Sequence, residues 1–185
     1  IKPIREPPRL ADFQGVVKEK LTLRLQEKSG RALVVMPTGS GKTRTAIDTV
    51  LRWIKDQHIP AWSLLWIADR DELCDQALET FRELAPFIVS DDIEWWRYWR
   101  GNHAEVRNTS RGVKVPGIAV TTVQQLRGRL ADLEPAAKAL ITNSDVIIVD
   151  EKKQFNSRFL LLCGFEKFKN FYVRVDILEK LFIKI

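Results

Sequence analysis

The chain has 185 residues, 45% hydrophobic and 29% charged, with a formal net charge of +6; this is the composition of a soluble globular protein able to bury a sizeable core in one domain. No apolar run approaches the roughly 18 residues that a membrane helix needs, and the N-terminus has no apolar signal-peptide core. The two cysteines and two histidines have no metal-ligand spacing and suggest no disulfide framework, so the reading is a cytoplasmic protein without membrane partner or zinc site.

In chain order, a proline-rich entry (Pro3, Pro7, Pro8) precedes a helical stretch carrying Phe13, Val16, Val17, Leu21 and Leu25, which ends near Ser29-Gly30. Ala32-Leu33-Val34-Val35 reads as a strand, and a second helical stretch with Ala46, Ile47, Val50, Leu51 and Ile54 runs to about Asp56. Trp62–Ala68 is a buried strand, Asp69–Leu84 a helix, and Ile93–Trp99 a further strand after the polar turn Ser90-Asp91-Asp92. Gly117–Thr121 is a strand leading into a short helix from Thr122; Ala136–Ile141 is helical; Val146–Val149 is a continuous apolar strand. Strands alternating with helices predict an α/β fold with a mostly parallel sheet covered on both faces, since continuous apolar strands bury both sides.

Between the first strand and the second helix lies Met36-Pro37-Thr38-Gly39-Ser40-Gly41-Lys42-Thr43-Arg44. A strand turning through glycines into a helix that opens with Lys-Thr is the layout of a phosphate-binding loop. Gly39 and Gly41 can take backbone angles closed to other residues, so that successive amides point at phosphate oxygens. The helix N-terminus adds partial positive charge. Lys42 can reach the terminal phosphates, and the Thr43 hydroxyl can ligate Mg²⁺. Met36 stands where the general pattern has glycine.

Asp150 and Glu151 follow the Val146–Val149 strand. Ligands of open parallel sheets bind outside the carboxyl ends of the strands, the edge from which the phosphate loop also departs. Asp150 can hold Mg²⁺ against the phosphates, and Glu151 can orient or deprotonate an attacking water. Read from the residues alone, Gln14 is a surface glutamine or an amide matched to adenine's donor and acceptor edge. Thr121 and Thr122 either cap a helix or offer hydroxyls to phosphate, and Arg70 either contacts phosphate or pairs with Asp71 or Glu72. In Glu94-Trp95-Trp96-Arg97-Tyr98-Trp99-Arg100 the aromatics either stack on bases or, the favoured reading, form a strand with one aromatic set in the core.

On these motifs the chain resembles the N-terminal RecA-like motor domain of superfamily 2 helicases and translocases, and within them the group of type I and type III restriction-enzyme motor subunits. The resemblance covers roughly residues 5 to 151. Met36 through Thr43 matches the first motif. Leu65–Leu73 with Asp75-Gln76-Ala77 resembles the next, and Val120–Leu126, which includes Gln124, resembles the later Ala-Thr-x-Gln-x-Leu motif. Val149-Asp150-Glu151 resembles the start of Asp-Glu-x-His, and Arg9–Gln14 resembles the upstream element whose glutamine reads adenine. The resemblance implies ATP and Mg²⁺ as cofactors, with Gln14, Pro37, Thr38, Gly39, Ser40, Gly41, Lys42, Thr43 and Arg44 at the nucleotide. It implies Lys42, Asp150 and Glu151 in catalysis, and Arg70, Thr121, Thr122 and Gln124 on nucleic acid. DNA is the implied partner, together with other restriction-modification subunits. Two rival readings are a non-catalytic helicase remnant that binds nucleic acid or a partner, and a phosphate-loop ATPase unrelated to nucleic acid.

After Glu151 the family pattern fails: Lys152-Lys153 replaces the small residue and histidine. The composition shifts too, since residues 151–185 hold no Trp, six of the nine Phe, and 8 Lys+Arg against 4 Asp+Glu, compared with 22 against 20 in residues 1–150. Most of the positive excess therefore lies in the tail and argues little for nucleic acid. The expected division is a RecA-like domain at 1–151 and an irregular or non-native tail at 152–185. With no second RecA-like domain in these residues to supply arginine fingers, little hydrolysis is expected from this chain alone.

Overall fold

The computed structural model describes residues 9–27, 31–58, 61–89, 92–100, 116–132, 134–150 and 171–177. In chain order the elements are α1 (Asp12–Leu25), β1 (Arg31–Met36), α2 (Lys42–Asp56), β2 (Ser63–Ala68), α3 (Asp71–Ile88), β3 (Glu94–Tyr98), β4 (Gly117–Thr122), α4 (Val123–Ala131), α5 (Pro135–Asn143), β5 (Val146–Asp150) and β6 (Phe171–Ile177). The six strands form one sheet in the order β1-β6-β5-β2-β4-β3. Every neighbouring pair is parallel.

The continuous apolar strands are buried on both faces because helices cover both. Side chains alternate across a strand, so Leu64, Trp66 and Ala68 of β2 join the core under α1, α2 and α3, while Leu65 and Ile67 join a second core under α4 and α5. β5 divides likewise, with Val146 and Ile148 on the first face and Ile147 and Val149 on the second. Trp66 is wholly buried and meets Phe81 of α3 edge to face, centroids 5.7 Å apart.

The buried line of α1 differs from the one its apolar residues predict. Leu21 and Leu25 are buried and Val17 packs against the core, but Phe13 and Val16 are 54% and 52% exposed. The helical period continues that buried line back to Gln14, which is itself buried, and places Phe13 off to one side and Val16 nearly opposite. In the aromatic cluster, Trp95 packs against the first core and Trp96 against the second, as neighbours on a strand must. Tyr98 and Trp99 are wholly buried. The cluster is thus largely core, with Arg97 stacked 4.6 Å over Trp99 and Arg129 stacked 4.7 Å over Tyr98.

The sequence pattern predicts no strand after Asp150. The structure places Phe171–Ile177 between β1 and β5, pairing Arg31–Met36 on one side and Val146–Asp150 on the other. The alternation Val173-Arg174-Val175-Asp176-Ile177 is a strand signal that the composition of the tail obscures. Among the described residues no helix is long and apolar enough to cross a membrane.

Candidate nucleotide site

β1 ends at Met36 and α2 begins at Lys42, so the loop turns in five residues at the carboxyl edge of the sheet. Two of them need left-handed backbone: Gly39 at φ 75° and Gly41 at φ 77°. The Ser40 amide and hydroxyl both donate to Pro37 O, at 3.3 and 2.6 Å. The Thr45 amide makes the first helical bond, to Gly41 O. The amides before it belong to the first turn, whose N–H groups point out of the helix end. Lys42 Nζ lies 3.3 Å from Met36 O and 3.1 Å from Pro37 O. Its charge is therefore held at the loop, where an anion would sit.

Asp150, last residue of β5, is nearly buried. Its Oδ2 accepts from Thr43 Oγ1 at 3.3 Å, across 107 residues of sequence. Two hard oxygens side by side at a helix N-terminus that could take phosphate suit Mg²⁺, which takes one or two protein oxygens and leaves its remaining positions to phosphate and water. Among the described residues no cluster of three or more His, Cys, Asp or Glu gathers to form an all-protein metal cage. Glu151 lies outside the described residues.

Gln14 is brought to the loop from the other side. Its Oε1 accepts from Ala11 N at 2.9 Å, one half of a capping box. Its Nε2 donates to Ser40 O at 2.9 Å. An amide has two N–H donors and two acceptor lone pairs, so one of each is left for a ligand. The residues alone leave this contact open, since Ala11 at the N-cap is no Ser or Thr to announce a capping box; the resemblance of Arg9–Gln14 to the family's upstream element is the signal that singles Gln14 out.

The other sequence-derived candidates divide. Pro37 and Thr38 are exposed on the loop. Arg44 turns to α3, 3.4 Å from Glu83. Arg70 caps α3 with its guanidinium exposed, 3.7 Å from Asp69. Gln124 is exposed in the first turn of α4. The buried Thr121 hydroxyl donates to Tyr98 O at 3.1 Å, and Thr122 Oγ1 accepts from Gln125 N as the N-cap of α4. Both hydroxyls thus serve the fold. The Cys74 thiol donates to Thr121 O at 3.3 Å, joining α3 to β4. Burial, then the carboxylates of Asp71 and Asp75, push that thiol up to about 12.

A family model described as the type III restriction enzyme, res subunit, matches residues 8–178. No curated protein matches the chain. Among solved structures, a nuclease-deletion mutant of the type ISP restriction-modification enzyme LlaGI, in complex with a DNA substrate mimic, superposes with TM-score 0.61 at 18% identity, covering 96% of this chain and 18% of that one. The UvsW helicase from bacteriophage T4 gives 0.60 at 12% identity, covering 94% of this chain and 54% of its own. The ATP-dependent type ISP enzyme LlaBIII bound to DNA gives 0.61 at 16% identity, covering 94% and 13%. The chain thus spans at most about half the length of these neighbours, and at such identities the likeness is one of fold.

Proposed function

The chain belongs to the family of the type III restriction enzyme res subunit, and from that premise we propose that it is the ATP-binding motor domain of an ATP-dependent DNA helicase or translocase, incomplete in this chain. The observation that carries this reading is the 3.3 Å contact between Thr43 and Asp150, which joins the phosphate loop to the acidic strand end. The helix amides and Lys42 hold the phosphates, and Thr43 and Asp150 hold Mg²⁺. The bound ion would neutralise charge on the phosphate oxygens. Glu151 orients the attacking water, and Gln14 offers its remaining donor and acceptor to the N7 and N6 edge of adenine, a match guanine does not make.

DNA is the proposed track, with the exposed Arg70 and Gln124 at the same edge of the sheet as its nearest contacts. Residues 1–151 form the nucleotide-binding unit in this proposal, with 152–185 supplying β6. Other restriction-modification subunits are the proposed partners. Turnover by the chain alone is low, because a second RecA-like domain would supply the arginines that accelerate phosphoryl transfer.

Lys42→Ala removes charge-assisted hydrogen bonds worth about 1.5–3 kcal/mol, or roughly ten- to a hundred-fold in MgATP affinity by calorimetry. Equal affinity in the two proteins overturns the assignment of Lys42.

A further inference from the structure

Asp48 lies in the second turn of α2 with its side chain only 6% exposed. A carboxylate so buried needs charged partners. Arg52, one turn on, supplies Nε to both oxygens, at 3.1 and 3.0 Å. The second partner comes from another helix: Lys18 of α1 stands 3.4 Å from Oδ2. Lys18 follows Gln14 by one helical turn, about 6 Å along the axis. Helix α1 is therefore held to the nucleotide-binding segment by two polar contacts on one face, Gln14 to Ser40 of the loop and Lys18 to Asp48 of the helix that the loop begins. Below them Leu21 and Leu25 enter the core. Apolar packing is non-directional, whereas the buried Asp48 carboxylate, gripped through both oxygens by Arg52, fixes where the partly exposed Lys18 ammonium can stand.

We infer that the Lys18–Asp48–Arg52 cluster is a positioning device for base selection: it sets the rotation and height of α1 so that the Gln14 amide meets the base. None of the three is among the residues assigned to the nucleotide. The inference rests on the proposed reading of Gln14 at adenine and names what makes that reading selective. A misplaced amide weakens its bonds to adenine but leaves phosphate binding by the loop intact. Loss of the cluster therefore lowers the preference for ATP over GTP, beyond any general weakening.

The test uses MgATP and MgGTP affinities of the whole chain for wild type, Lys18→Met, Lys18→Arg, Gln14→Ala and the double variant Lys18→Met/Gln14→Ala. Lys18→Met keeps the apolar stem and leaves Asp48 paired to Arg52, so no uncompensated charge is buried; Lys18→Gln repeats the comparison if the methionine variant does not fold. The ATP to GTP preference should fall about tenfold in Gln14→Ala, the loss of one donor–acceptor match. It should fall most of that way in Lys18→Met, stay near wild type in Lys18→Arg, and fall no further in the double variant. A preference unchanged in Lys18→Met but lost in Gln14→Ala overturns the inference and leaves the adenine reading standing. A preference unchanged in Gln14→Ala overturns both.

Discussion

Gly41→Ala tests how the loop and α1 are joined. At φ 77° an L-residue is strained, by about 1–2 kcal/mol. A Cβ there would also lie 2.5 Å from Gln14 Nε2, too close to persist. The amide must withdraw, and its bond to Ser40 O goes with it, at about 0.5–1.5 kcal/mol. The total is about 1.5–3.5 kcal/mol, or roughly 3–14 °C in Tm for a domain of this size. Gly39→Ala is the internal control: its φ is 75°, but a Cβ there meets nothing within 4 Å. It should cost only the backbone part, about 1–2 kcal/mol. The excess of Gly41→Ala over Gly39→Ala, about 1 kcal/mol, should disappear when both are made in Gln14→Ala, because the obstructing amide is gone. Thermal and urea unfolding of these variants read the cycle. An excess that survives in Gln14→Ala, or no excess at all, refutes the assignment of Gln14 to the loop.

Asp150→Asn removes the carboxylate beside Thr43; ATP affinity in EDTA should stay within about twofold while the gain on adding Mg²⁺ is largely lost, a split that calorimetry in both conditions reads. Cys74, buried and with its thiol pushed up to about 12 from 9.0, should resist iodoacetamide at pH 8 in the native chain and react in urea, as peptide mass mapping would show. Between pH 9.0 and about 12 the unfolded chain releases this proton while the native chain keeps it, so Cys74 should make stability fall with rising pH there; a Cys74→Ala variant with the same alkaline slope would refute this. Trp66→Ala opens a cavity against Phe81 and should cost about 3–5 kcal/mol, visible as a lowered urea midpoint with unchanged slope.

Strands β1 to β5, the helices and the glycine loop are legible because each leaves a local mark. Gly39 and Gly41 mark a turn whose backbone goes left-handed at both of them just before a helix. The apolar runs of β2 and β5 announce burial on both faces, and Asp150 closes such a run. Their lateral order has no such mark: a strand buried on both sides looks the same whichever strands it pairs with. Only the tertiary structure therefore decided that Phe171–Ile177 separates β1 from β5, and that the two halves of the site meet across the end of a strand from the tail.

The same limit applies to side chains. Phe13 and Val16 share the apolar pattern of α1 yet face outward, because Gln14 takes the buried position at the loop. Asp48 and Arg52 are spaced for a helix-surface pair, but the third charge, Lys18, comes from another helix and buries the carboxylate. By itself the sequence determined what is set within a turn or a strand: backbone freedom, periodicity and the residue types able to hold phosphate. The tertiary structure decided which distant residues share one polar contact, because such a contact depends on how the elements pack and leaves no period in the chain.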